Sequence, residues 1–346
     1  MTAYPEIDGL ESFAGPRFHT ARWDHAVDLR GKRVAVIGTG ASAAQVVPEI
    51  APIVSELTIF QRTAPWIVPK DDRAMTAREI ERLTRHPRLH WLKRTGLYWR
   101  LEARVLALVY EPRLLDLAER ETTKFIDECV RDPELRAKVQ PHFRIGCKRV
   151  ILSNDWYPAL QRPNVELVTE PIVRVEPDGI VTEARKRAVD VIVLGTGFRV
   201  GEYLSAIDIR GRDGAELNET WRRSLRTYLG ITVAGFPNLF LLMGPNTALG
   251  HSSMIFMIEA QARYAVQAIR ALRDRGLRSL DVRRDVQDAF HALLRRRLRG
   301  SAWEAGCTSW YRTPGGELVL WPGFTFDYWW RTRRLDLADY DVRPSA

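Results

Sequence analysis

Along this chain, short apolar runs alternate with stretches whose apolar residues recur every three or four positions. The run Val34-Ala35-Val36-Ile37 is short, continuous and rich in β-branched residues, which predicts a strand, and Ala43-Ala44-Gln45 after it opens a run of helix formers. Glu56-Leu57-Thr58-Ile59-Phe60, Asn164–Val168 and Ile172–Glu176 read as further strands, and Pro177-Asp178-Gly179 is a turn before Ile180-Val181-Thr182. Asp190–Phe198 and Pro237–Gly244 read as buried strands. Between them, residues 75–139 carry Leu83, Leu97, Leu101, Val105 and Leu108, then Leu114, Leu117, Phe125 and Val130, at helical spacing. Met254, Met257, Ile258, Ala262, Ala265, Val266 and Ile269 predict an amphipathic helix, as do Val286, Phe290, Leu294 and Leu298. Residues 1–30 have little periodicity and read as an ordered connector, and the prolines at 65 and 69 place a loop after the second strand. The pattern is that of an α/β protein.

The first strand passes into Gly38-Thr39-Gly40-Ala41-Ser42-Ala43, a Gly-x-Gly-x-x-Ala turn that opens a helix. That is the order of a Rossmann-like dinucleotide-binding unit, in which glycines allow the turn and the close approach of a pyrophosphate to the helix N-terminus. Candidate contacts are Gly38, Thr39, Gly40, Ala41, Ser42 and Gln45. At the end of the second strand, where an NAD enzyme places an acid, stand Arg62 and Thr63. A guanidinium matches a 2′-phosphate with paired donors, so NADP(H) is expected over NAD; a solvent-facing arginine is the alternative.

Composition narrows the class. Hydrophobic residues at 45% and charged residues at 27% suit a globular protein, and 52 Lys plus Arg against 43 acids give +9. The sign suits phosphate, but the arginines are spread along the chain and even Arg295–Arg299 lies on a helix with an apolar face, so no nucleic-acid partner is expected. Cys129, Cys147 and Cys307 share no metal or redox spacing; scattered thiols in odd number fit a reducing cytoplasm, and no metal site is expected. No uncharged run approaches the roughly 18 residues of a membrane span; Trp91–Tyr110 carries five charges and reads as a packed amphipathic helix rather than a surface-lying one.

Phe13-Ala14-Gly15-Pro16-Arg17-Phe18-His19-Thr20-Ala21-Arg22-Trp23-Asp24 resembles the fingerprint of the Baeyer–Villiger monooxygenases, with Phe13, Gly15, His19, Trp23 and Asp24 at its five positions. The resemblance implies an NADP-binding domain at 31–155 with a helical insertion at about 75–140. It further implies the remainder of a flavin domain at 156–270, from a two-dinucleotide-binding flavoprotein fold, and a helical and aromatic segment at 271–346. It implies FAD and NADPH as cofactors, with a flavin peroxide attacking a ketone to give an ester or lactone. In the matching Cys147-Lys148-Arg149 segment, Lys148 is expected at the 2′-phosphate with Arg62 and Thr63, and Arg149 over the flavin as the catalytic cation. Gly195-Thr196-Gly197 resembles the Ala-Thr-Gly crossing between the two domains, which makes Thr196 and Gly197 cofactor contacts. The loop with Asn246 and His251 resembles the one that caps the flavin, with His251 read as a loop or cofactor contact rather than a base, and Trp310 resembles the tryptophan that folds over the nicotinamide.

A flavin-binding Gly-x-Gly-x-x-Gly unit is not among these 346 residues. The expectation is therefore a monooxygenase of this type in truncated form, acting on a small ketone or related carbonyl with O2. The alternative is an NADP-binding remnant or half of a split flavoprotein whose partner chain supplies the FAD half.

Overall fold

The computed structural model describes residues 2–199, 204–307, 309, 311–313 and 315–345. Single turns aside, the elements run β1 (Arg17–His19), β2 (Arg33–Ile37), α1 (Ala43–Ile50), β3 (Glu56–Phe60), β4 (Ile67–Val68), α2 (Ala77–Arg85), α3 (Pro87–Glu102), α4 (Leu115–Cys129) and α5 (Pro133–Val139). They continue with β5 (Ile151–Leu152), α6 (Trp156–Leu160), β6 (Val165–Val168), β7 (Ile172–Glu176), β8 (Gly179–Thr182), β9 (Lys186–Ala188) and β10 (Val191–Leu194). The last are α7 (Leu217–Arg223), α8 (Met254–Asp274), β11 (Leu277–Val282), α9 (Arg284–Leu298), α10 (Thr325–Thr332) and β12 (Tyr340–Pro344). Two compact units result, one of residues 1–72, 116–145 and 149–199, the other of 73–115, 146–148 and 200–346.

The first unit is built on a parallel sheet of order β1-β10-β2-β3-β6. Successive side chains of a strand leave opposite faces, so β2 and β10 each feed two cores. Val34, Val36, Val191 and Val193 pack with Ala44 and Val47 of α1, Ile126 of α4 and Trp156 and Tyr157 on α6. Ala35, Ile37, Ile192 and Leu194 pack on the other side with Leu10, Phe13 and the antiparallel β7-β8-β9 sheet through Val175 and Ile180. Burial on both faces is why these strands read as unbroken apolar runs.

Three expectations about strands and connections change. Residues 1–30 are more than a connector, because Arg17–His19 adds an edge strand in register with Ile192–Leu194. Ile67-Val68, inside the expected loop, pairs with Ile151-Leu152; the flanking prolines limit this ladder to two residues without preventing it. Pro237–Gly244 forms no strand among the described residues: Asn238 and Met243 take positive φ (60° and 64°), which breaks an extended run at both ends.

In the second unit, α8 packs on α10 and on β11, which pairs with β12. The buried line of α8 is Met257, Ala260, Gln261, Tyr264 and Ala268, while Val266 and Ile269 are exposed, so the helix presents a different face from the one expected. Polar anchors set that rotation: Gln261 donates to the Tyr328 hydroxyl at 3.0 Å, and the Tyr264 and Tyr340 hydroxyls lie 2.9 Å apart, all buried. α9 buries Phe290, Leu294 and Leu298 as its spacing predicts. α3 differs from the packed amphipathic helix expected there. Trp91, Leu92, Leu97 and Trp99 are exposed, and the residue it buries fully is Glu102. Among the described residues, no helix is long and apolar enough to cross a membrane.

Charge also ties the first unit. Arg33 clamps Asp190 through Nε and a terminal nitrogen (3.2 and 2.6 Å), joining the N-terminal ends of β2 and β10. Glu166 on β6 accepts from Arg187 (2.8 and 3.0 Å) and Arg185 (3.0 Å). Its carboxyl is thereby held down at about 2, with the Arg187 hydrogen bonds as the chief cause. The folded pKa lies below the ordinary value of 4.5, so this stabilisation is complete above 4.5 and fades as pH falls toward 2. Because the side chain is 41% exposed, solvent screening limits it to roughly 1 kcal/mol. Glu166→Gln is expected to lower the urea midpoint near neutral pH, with the gap to the parent protein narrowing as the solution is acidified below 4.5; a gap independent of pH would contradict this.

Candidate dinucleotide site

The site grows from the carboxyl ends of β2, β3 and β10, where open α/β sheets bind ligands. Gly38 follows β2 with φ +105°, and a Cβ there would lie 2.5 Å from the Gly195 carbonyl oxygen. Its N–H donates to the Phe60 carbonyl at 2.9 Å, so the turn is pinned between both neighbouring strands. Gly40 is different: a Cβ would meet nothing within 4 Å, which leaves backbone open to an approaching group. Ala43 packs close to Gly195 (3.5 Å to an added Cβ), the contact that calls for a small third residue. At the start of α1, Ala44 N–H donates to the Gly40 carbonyl (3.0 Å), and Gln45 and Val46 N–H donate to that of Ser42 (3.2 and 3.0 Å).

Thr39 Oγ1 donates to the Thr63 carbonyl at 3.2 Å and ties the glycine turn to the end of β3. Arg62 and Thr63 are exposed there, beside the turn. Gln45 bonds back to the Ala41 carbonyl at 2.9 Å. A cleft of about 220 Å³, lined by Thr20, Ala21, Ser42, Gln45 and Val46, opens at the N-terminus of α1. A larger open cleft of about 770 Å³ lies between Trp66, Asp116, Glu119, Lys124, Phe143 and Arg144. Its Arg144 is already engaged by Asp116 and Glu119, so the walls satisfy one another.

The fingerprint residues bound the same edge of the sheet. Phe13 is core, and Gly15 is required because a Cβ would come 2.3 Å from the Asp190 carbonyl oxygen. His19 ends β1 beside Leu194, buried between Tyr4 and Phe198 (ring centroids 5.9 and 5.7 Å). Burial pushes its pKa below the usual value, against the Gly197 carbonyl, which raises it. Trp23 meets Phe18 edge-on at 4.9 Å, and exposed Asp24 accepts from the Ala26 N–H at 3.0 Å. Thr196 Oγ1 donates to the Ala3 carbonyl at 2.6 Å, and Gly197 has φ +81° with open space where a Cβ would stand.

Arg149 is exposed and belongs to the first unit, whereas Lys148 is half-buried and belongs to the second. In that second unit the loop of Asn246 and His251 is buried. Asn246 donates to the Leu318 carbonyl at 3.1 Å, and its Oδ1 has no partner among the described residues. His251 Nε2 lies 3.5 Å from Glu102 Oε1, both side chains fully buried, while Nδ1 and Ser252 Oγ have no partner among the described residues. Glu102 accepts from the Thr325 N–H and hydroxyl, each at 2.8 Å. Burial raises its pKa, but His251 and Thr325 outweigh that and leave it lowered overall. Sequence reasoning did not select Glu102; the trace it leaves is the one carboxylate of Trp91–Tyr110, set among Lys93, Arg94, Arg100 and Arg104. Trp310 lies outside the described residues. Among the described residues no His, Cys, Asp and Glu group could hold a metal. Two of the cysteines are not free thiols, since Cys147 and Cys307 form a disulfide across a separation of 160 residues that hides the pair from spacing arguments.

A parallel sheet covered by helices on one face and an antiparallel sheet on the other, with a glycine turn at the carboxyl end of β2, defines a Rossmann-like α/β protein. The flavin-binding monooxygenase-like family matches residues 2–84. A Baeyer–Villiger monooxygenase of Pseudomonas aeruginosa is 48% identical over 98% of this chain and 65% of its own length, and one of Streptomyces coelicolor is 43% identical over 99% and 67%. The solved structure of an oxidized steroid monooxygenase bound to NADP covers 99% of this chain and 73% of its own, with TM-score 0.87 and 28% identity. The OTEMO complex with FAD and NADP gives the same coverage and TM-score at 26% identity. The chain belongs to the Baeyer–Villiger monooxygenase family, and it spans about two thirds of the length of these curated relatives.

Gly38→Ala should lose about 1–3 kcal/mol of stability, since the substitution meets both an unfavourable φ and the Gly195 carbonyl. Urea denaturation measures this, and an unchanged midpoint would contradict the assignment of the turn.

Proposed function

We propose that the protein acts as an NADPH- and FAD-dependent monooxygenase of Baeyer–Villiger type, converting a small ketone or related carbonyl and O2 into an ester or lactone. The observation that carries the reading is the pairing of the open Gly38–Gly40 turn with exposed Arg62 and Thr63, joined by the Thr39 hydrogen bond. In this reading the turn and the start of α1 take the pyrophosphate, and the Arg62 fork with the Thr63 hydroxyl takes the 2′-phosphate. FAD, when bound, supplies the oxygen-transfer chemistry and NADPH the hydride. The unpartnered Asn246 Oδ1, His251 Nδ1 and Ser252 Oγ fit a ring that carries both donors and acceptors. The Glu102 carboxylate lies 3.5 Å from His251 Nε2. Lys148 as a phosphate ligand, Arg149 as the permanent charge that stabilises developing negative charge, and Trp310 as a nicotinamide cover rest on the family resemblance alone.

Arg62→Ala is expected to weaken NADPH binding by about 10–100-fold, the loss of a charge-assisted pair, while NADH binding stays as it was. Fluorescence titration with both nucleotides tests this, and equal losses would remove the 2′-phosphate assignment. The purified 346-residue chain, mixed with FAD and desalted, is expected to keep NADPH binding but show no flavin absorbance. Retained flavin bands would show that these residues hold FAD unaided, and ketone-dependent NADPH oxidation would then be assayed on the chain alone.

A further inference from the structure

The second unit carries a feature that the proposed reaction does not use. Cys147 is buried, in a turn whose Gly146 has φ +86° and packs against Leu108 and Ala302. Its disulfide partner Cys307 is only half-buried and follows the exposed Ala305 and Gly306. Gly306 and Cys307 make no hydrogen bond among the described residues, so the covalent bond is what ties this piece of backbone to the turn ahead of Lys148. The third cysteine, Cys129, belongs to α4 in the first unit, and burial raises its thiol pKa above the usual value.

We propose that Cys147–Cys307 is a reversible redox latch, opened by a small intracellular-type thiol such as glutathione and closed by the corresponding disulfide. A thiolate attacks the more accessible sulfur, that of Cys307, forming a mixed disulfide and releasing Cys147 as a thiolate. A second small thiolate then attacks the small-molecule sulfur of that mixed disulfide, forming the small disulfide and releasing Cys307 as a thiolate. Two electrons pass to the protein, two small thiols become one disulfide, and the protein sulfurs end as thiols after taking up two protons. The closed bond holds the Gly146–Lys148 turn in place.

Two measurements separate these claims. The parent protein is equilibrated in glutathione buffers from oxidising to reducing, trapped by alkylation, and digested for mass analysis. A linked Cys147–Cys307 peptide in oxidising buffer that opens in reducing buffer is expected, with Cys129 alkylated throughout; free thiols at both positions in every buffer, pairing with Cys129, or a link that no thiol opens would overturn the latch. Limited trypsin treatment of the native states should cut after Lys148, Arg149 or Arg312 faster in the reduced protein, and equal rates would overturn the claim that the bond fixes the turn.

Discussion

Much of the first unit depends on how closely β2 and β10 end together. Gly38 and Gly195 meet there with no room for a Cβ on Gly38, and Gly195 itself has only 3.3 Å from an added Cβ to the Ile37 carbonyl oxygen. That contact brings two strand ends and the start of α1 to one point, and the Gly38 N–H anchors the turn on β3. The opposite ends of the same two strands are clamped by Arg33 and Asp190. The central strands are thus fixed at both ends, and the open backbone of Gly40 is presented from a rigid base.

The fingerprint string also has a physical reading. Its Phe, Gly and His positions are those of an edge strand with its anchor: Phe13 in the core, Gly15 where the chain must pass the Asp190 carbonyl, and His19 closing β1 beside Leu194. Such an edge strand covers the side of β10 and so shields a central strand from other partners. Composition and spacing gave no chemistry for this string; its geometry gives a structural reason for at least three of its five residues.

What was legible in the sequence follows from how local each cause is. β2 and β10, and the turn after β2, were readable because burial on both faces writes a continuous apolar run and a phosphate turn needs glycine at fixed spacing. The edge strand at 17–19 was not, because three residues carry no periodicity and their pairing partner lies about 175 positions away. The face of α8 was misjudged because buried polar residues, Gln261 and Tyr264, set its rotation while apolar Val266 and Ile269 are exposed. Glu102 and the Cys147–Cys307 bond were invisible for the same reason: each is defined by a partner far along the chain, and neither partner announces itself.

The strand order has a consequence for the birth of the molecule. β10 is the last strand of the sheet to be made, yet it sits between β1 and β2. On a ribosome adding on the order of 10 residues per second, β1 waits some 15 seconds or more for its only neighbour in the sheet. During that time β2, β3 and later β6 can assemble, but β2 presents an unpaired backbone edge where β10 will insert. A nascent chain of this design is most exposed to wrong pairing, and most in need of a chaperone, in the interval before Leu194 emerges.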